Sequence, residues 1–311
     1  MSPQRPRIHI VVTCTNRKRQ PVPAKLHLRE VTGVRTETRI NHWTQRLTSS
    51  DVGTVSAEDL YAGEHWDIAR NLPSSATGFA KATLWVASAG WGLIAADAQI
   101  RPYSATFAAG HADSVPPGRD GTRAWWNAVA AWSGPNTAGP RSLTALVAEH
   151  PRDRILFVLS QPYFSACTDD LERALATARD AQVSIVAAGV AANPRLAGWQ
   201  LPANARLQDR LGGTRGALNV RIASALLNAG LTDHAAMHRY LTRSLAKAPS
   251  LTVYARSRLS DAAVSAFIRT HHAQDSTVSR TGLLRQLRDA GMACEQNRFA
   301  AIHAATVGGT S

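Results

Sequence analysis

The chain has 311 residues, 44% of them hydrophobic, and carries 35 Lys and Arg against 22 Asp and Glu, a formal net charge of +13. That is enough apolar material for one large domain, or for one medium and one small domain. Its three cysteines, Cys14, Cys167 and Cys294, are far apart and form no C-x-x-C pair, which excludes a disulfide framework or a Cys-rich zinc site and fits a reducing cytosol.

The charge is uneven. Residues 1–50 hold ten Lys and Arg against two acids, residues 51–230 hold fifteen of each, and residues 231–311 hold ten against five. A neutral body between basic ends has nucleic acid as its default partner. An Arg-for-Lys habit explains the choice of cation, but not the shortage of acids. The first apolar run is too short for a signal-peptide core, and no apolar run approaches a membrane span. A cytoplasmic DNA-binding protein without membrane association is expected.

The first predicted strand is Ile8–Val12. The loop that follows, Thr13-Cys14-Thr15-Asn16-Arg17-Lys18-Arg19, puts a carboxamide and three cations directly after a buried strand. Asn16 suits a water or a base edge, and Arg17, Lys18 and Arg19 suit phosphate. A solvated basic turn is the plainer alternative.

The second strand, Thr83–Val86, leads into Ser88-Ala89-Gly90-Trp91-Gly92. Asp97, Arg101, Tyr103, Thr106, His111 and Asp113 follow within about two dozen residues. Gly90 and Gly92 let the backbone bend beside a ligand, and Trp91 can stack on a base or fill the rim of the core. Asp97 and Asp113 are the candidate carboxylates, able to orient water or to stabilise charge on a sugar, or else to cap a helix or turn. Tyr103, fixed by Pro102, is a second stacking candidate. His111 reads as a hydrogen-bonded loop residue, and no second His stands at ligand spacing, so neither a metal nor another cofactor is expected.

Helical patterns follow at Ala124–Trp132 and Ser142–Ala148. The third strand, Ile155–Leu159, runs into Gln161-Pro162-Tyr163, where Gln161 can read a base edge and Tyr163 can stack. A helix at Asp169–Ala181 has acids in its first turn, and the fourth strand is Val183–Val186. Leu211-Gly212-Gly213-Thr214-Arg215-Gly216 opens a helix at Ala217–Leu227. Its N–H groups and Arg215 suit an anion, but it lacks the Lys-Ser/Thr step of a Walker loop.

From Leu231 the chain reads as helical, with at most a strand at Leu251–Tyr254. Ser279–His303 holds two helical patterns around Gly291. Arg280, Arg285, Arg288 and Arg298 are expected to point outward, as in a DNA-binding hairpin or a basic docked one.

Strands alternating with helices predict an α/β fold: a three-layer α/β/α body, residues 1–230, around a short, mostly parallel sheet. Residues 231–311 are expected to form a helical, basic DNA-binding region. Because ligands gather beyond the carboxyl ends of parallel strands, the four loops should share one rim.

The run S-A-G-W-G-L-I…D…I-R-P-Y-S-A-T-F resembles a family of bacterial and phage proteins with the form S-A-x-x-G-L, then an acid, then P-Y-x-x-T. That family is similar in organisation to the uracil-DNA glycosylase superfamily and to domains associated with deazaguanine modification. The resemblance covers Arg7 to about Leu227 and is strongest from Trp85 to Phe107. It implies a DNA glycosylase, with the water-positioning residue of the first-strand loop falling on Asn16. Because the proposed pocket loops hold no Lys apart from Lys18, a monofunctional enzyme without a Schiff-base lyase step is expected. It also implies excision of modified bases, such as glucosylated hydroxymethylcytosine, in antiphage defence. The superfamily's G-Q-D-P-Y loop is absent after the first strand, and Gln161-Pro162-Tyr163 echoes it only after another. Two alternatives stay open: an enzyme of deazaguanine or nucleotide metabolism, and a non-catalytic DNA-binding module.

Overall fold

The computed structural model describes residues 5–33, 35–134, 139–179, 182–251 and 257–308. They form two compact units, Met1–Pro249 and Ser250–Ser311. The division falls later than the 230/231 boundary expected from sequence. The reason is α11 (His234–Ala246), whose Met237 and Leu241 are buried in the core of the first unit.

The first unit is mixed α/β. Strands β1 (Arg7–Thr13), β3 (Lys81–Ser88), β6 (Arg154–Val158) and β7 (Val183–Val186) run parallel, and β4 (Gly92–Ala95) pairs antiparallel with β3, in the order β4-β3-β1-β6-β7. β2 (Val55–Ser56) and β5 (Gln99–Ile100) make a separate short ladder. Ile8 to Thr13 are all buried, so both faces of β1 are covered, as its unbroken apolar pattern requires. One group of helices comprises α1 (Thr36–Ser49), α5 (Arg119–Ala131), α6 (Leu143–Glu149), α7 (Gln161–Ala166) and α8 (Thr168–Thr177). The other comprises α3 (Glu64–Ala69), α4 (Leu72–Ala76), α9 (Leu207–Leu211) and α10 (Leu218–Asn228), while the single turn α2 (Ala57–Leu60) follows β2. Among the described residues, no helix is long and apolar enough to cross a membrane.

Two differences from the expected elements matter for the site. Gly92-Leu93-Ile94, read as loop, is strand: the chain reverses at Trp91 and pairs back along β3. Gly92 makes that reversal with φ +74°, and a Cβ there would meet the Val129 carbonyl at 2.8 Å. Helix α1 was not expected at all, because its buried stripe is only Ile40, Trp43 and Leu47 in a polar sequence. The helix expected at Asp169–Ala181 ends at Thr177, and residues 180 and 181 lie outside the described residues.

The second unit contains α12 (Asp261–Gln274), α13 (Arg280–Asp289) and α14 (Gln296–Gly308), with β8 (Ser257–Arg258) and β9 (Met292–Ala293) pairing in parallel. Its own core is Val264, Ile268, Leu283, Leu284, Leu287, Cys294 and Phe299. Of the strand expected at Leu251–Tyr254, residues 252–254 lie outside the described residues, and Leu251 is not in a strand.

Candidate active site

The site is built where β1 and β6 lie side by side. The chain leaves β1 to reach β3 on one side of it, and leaves β6 to reach β7 on the other. At such a switch point the loops diverge and open a crevice beyond the strand ends. Asn16 and Arg17, on the loop after β1, are exposed there, as is Gln161, which opens α7 after β6 instead of lying in the expected loop. The β1 loop is held in place by the segment before α3. Thr15 Oγ donates to the Ala62 carbonyl (3.1 Å), Ala62 N–H to Arg17 O (3.0 Å) and Arg19 N–H to Leu60 O (2.8 Å).

Beneath this rim lies a buried polar cluster. Ser88 Oγ accepts from the N–H groups of Gly90 (3.2 Å) and Trp91 (3.0 Å), so its own proton goes to Tyr103 Oη at 2.6 Å. Tyr103 in turn donates to Cys14 Sγ (3.3 Å), which leaves Tyr61 to donate to Tyr103 Oη (3.0 Å). Tyr163 Oη lies 2.9 Å from the same sulfur. The donors thus run in one direction, from Ser88 and Tyr61 through Tyr103 to Cys14. Burial pushes all three tyrosine hydroxyls well above their ordinary range, so they remain donors at neutral pH.

Lys18 belongs to this cluster rather than to a phosphate-binding surface, contrary to expectation. Its Nζ lies 4.8 Å from the centroid of the Tyr103 ring and 5.1 Å from that of Tyr61, and it donates to the carbonyls of Thr15 (2.5 Å) and Asn16 (3.4 Å). Burial lowers its pKa, against the opposing influence of Cys14 and Asp113. Tyr61 and Cys14 were not foreseen as site residues. Nothing local marks Tyr61, and Cys14 stood out only as an isolated cysteine.

Several expected residues have other roles. The carbonyls of Ala89 and Gly90 accept the indole N–H groups of Trp125 (2.7 Å) and Trp43 (2.9 Å), and the Trp91 carbonyl accepts from the Arg141 guanidinium. Gly90 fits under the Tyr103 ring, where a Cβ would come within 2.4 Å of it. Trp91 is fully buried, with its ring 5.4 Å from that of Trp132. Ser88, Gly90, Trp91 and Tyr103 are therefore interior, and neither aromatic is presented for base stacking.

Asp97 leaves the rim altogether. Because β4 runs backward, Ala96 N–H bonds to Leu84 O, four residues below Ser88 and roughly 13 Å along the strand. Asp97 sits in the exposed turn that follows. Asp113 is fully buried and already engaged. It accepts from the Arg29 N–H (3.0 Å), Arg29 Nε (2.9 Å) and Nη2 (2.7 Å), Ser104 Oγ (2.7 Å) and His27 Nδ1 (3.0 Å). Burial alone would raise its pKa, but these partners, Arg29 foremost, hold it far below the usual carboxylate range. It fastens the segment around Ser104 to residues 27–29.

The glycine loop before α10 is occupied from within: the Glu64 carboxylate accepts from Thr214 N–H (3.2 Å) and from the Arg221 guanidinium, while Arg215 is exposed. At the other end of the sheet, His9, His150 and Asp153 are close enough together to suggest a metal site. Proton placement argues against it. Trp85 Nε1 donates to His9 Nδ1 (3.0 Å), so the proton of a neutral His9 is on Nε2 and points at Asp153 Oδ2 (3.1 Å). No lone pair of that ring remains for a metal.

In the second unit, Arg280, Arg285 and Arg288 line a groove of about 370 Å³ between α13 and α14, with Arg280 and Arg285 exposed. Arg298 is instead bound to Asp261 and to the Leu259 carbonyl, and Arg288 donates to Cys294 O (3.3 Å).

No family model, no curated protein and no solved structure matches this chain.

Proposed function

We propose that this chain hydrolyses the N-glycosidic bond of a modified base turned out of DNA, leaving an abasic site. The phage-type modified DNA implied by the sequence resemblance is the substrate class. The observation that carries the reading is the exposure of Asn16, on the loop after β1, and of Gln161, the first residue of α7 after the adjoining strand β6. Asn16 orients water toward C1′, and Gln161 contacts an edge of the base. Water adds to C1′ as the C1′–N bond breaks. The base departs with the electron pair and takes a proton. Beneath the rim lie the buried Tyr163 hydroxyl and Cys14 thiol, with the half-buried Lys18 amine over the Tyr103 ring. A floor of donors suits a leaving group that departs with negative charge. The exposed cations Arg17, Arg19 and Arg215, with Arg280 and Arg285, would bind phosphate.

The test is incubation with glucosylated phage DNA and a panel of modified DNAs, followed by an abasic-site probe. Abasic product from the wild type and its loss in Asn16→Ala are expected. Intact sugar–base bonds across the panel would overturn the proposal. One finding favours a second reading, a non-catalytic DNA-binding module: Asp97 is remote and Asp113 is fully paired. It predicts DNA affinity without abasic product.

A further inference from the structure

Resting on the nucleic-acid reading above, we propose that a groove between α9 and α11 binds the phosphodiester backbone, on a part of the first unit remote in sequence from the β1 loop. Arg239 and Arg243 on α11 and Lys247 at its C-cap stand four residues apart and are exposed. At 1.5 Å rise per residue they form a stripe of cations about 6 Å apart, opposite the buried Met237 and Leu241. Arg210 joins them from α9, its Nη1 donating to Ser244 Oγ at 3.3 Å. With Tyr240 these residues line a groove of about 360 Å³ that no carboxylate lines.

Ordinary helix chemistry does not account for the arrangement. The helix dipole favours cations at the C-terminal turn, which explains Arg243 and Lys247, but Arg239 stands in the middle of the helix and Arg210 comes from another. Like charges four residues apart repel and cost helix stability. Some arginines elsewhere in this unit are paired, Arg221 with Glu64, Arg195 with Glu172 and Arg29 with Asp113, whereas these four cations gather in one groove. Among the described residues, no such ion pair forms at Arg210, Arg239, Arg243 or Lys247.

Local contacts link the groove to the rim. Gln208, beside Arg210 on α9, donates to Gly213 O (2.9 Å), and Thr214 N–H bonds to the Glu64 carboxylate. Two residues before Glu64, the Ala62 N–H bonds to Arg17 O (3.0 Å) in the β1 loop. These contacts run from α9, which carries Arg210, through Thr214 beside Arg215, to the β1 loop that carries Arg17. A continuous anion of phosphates is the ligand whose charge fits such a path.

The experiment uses the full chain and labelled single- and double-stranded oligonucleotides, with affinity read by fluorescence anisotropy across a salt series. The triple variant R239A/R243A/K247A is compared with R280A/R285A in the second unit. Wild-type binding is expected to weaken at least tenfold in the α11 variant, with the duplex log K against log salt slope falling by about two to three. Unchanged affinity and slope in that variant while the wild type binds DNA would overturn the α11 assignment and leave the glycosylase reading standing. Absence of DNA binding by the wild type would also overturn it, as would triple-sensitive binding to phosphatidylserine vesicles in preference to DNA. Tight, triple-sensitive DNA binding without abasic product would support the groove and count against the glycosylase reading alone.

Discussion

Trp85 on β3 donates its indole N–H to Nδ1 of His9 on the neighbouring strand β1, across 3.0 Å. That bond fixes the tautomer of a buried histidine that also stacks on His150 at 4.0 Å. Burial lowers the His9 pKa, against the hydrogen bond to Asp153, and burial likewise lowers those of His65 and His234. The unfolded chain therefore binds protons that the folded chain refuses. Stability is fully present above the unfolded histidine value of about 6.5 and falls as pH drops from there toward the lower folded values. Urea midpoints should be lower at pH 5.5 than at pH 7.5. Trp85→Phe frees Nδ1 to take a proton, so it should flatten this dependence and cost about 1 kcal/mol at neutral pH.

The Asp113 network predicts a separate, more acidic transition. Its folded pKa is depressed, so its contribution is present above about pH 4 and is lost as pH falls further. Asp113→Asn removes the buried charge and one acceptor oxygen from the Ser104 and Arg29 donors, while Arg29 itself stays open to solvent. A loss of about 1–3 kcal/mol by urea denaturation is expected. Any fall in activity should follow the folded fraction, since this carboxylate orients a loop rather than facing substrate.

Lys18 should show the opposite balance. Burial of the amine disfavours its charged form and costs stability at neutral pH, only partly offset by the Tyr61 and Tyr103 rings. Lys18→Met should therefore leave the fold unharmed or up to about 1 kcal/mol more stable. The same change should lower base excision about 10²-fold, the usual scale for losing one preorganised donor. Borohydride should trap no covalent complex with abasic DNA, because Nζ faces two carbonyls and two rings beneath the rim.

The loop after β3 offers a matched pair of substitutions. Trp125 Nε1 donates to the Ala89 carbonyl, whereas the buried Trp91 Nε1 has no partner among the described residues. Replacement by Phe removes similar volume at each site. Trp125→Phe should cost about 1–2 kcal/mol more than Trp91→Phe in urea unfolding, because only the first orphans an acceptor.

These contrasts also explain what could be read in the sequence. The four parallel strands were legible because β-branched runs buried on both faces have no other stable home. That Asn16 and Gln161 lie exposed at the ends of neighbouring strands was legible from position alone, each just past such a run. The polar cluster was not, since Tyr61, Tyr103 and Tyr163 come from three distant segments and meet only in space. Trp91 and Tyr103 suggested stacking because aromatic residues near glycines suit a ligand as well as a core. What decided the matter was the Tyr103 ring lying over Gly90, a contact no local pattern encodes. Asp97 was misplaced because the hairpin at Gly92 reverses the chain and carries it away.

Three successive carbonyls after β3 are gripped by side chains from α1, α5 and Arg141. That end of the sheet is therefore an immobile post, and substitutions on helices far from the rim will be felt there as loss of fold rather than as altered preference. Freedom to diversify lies across the crevice, at the exposed tips around Asn16 and Gln161, where one residue can be exchanged without disturbing the frame.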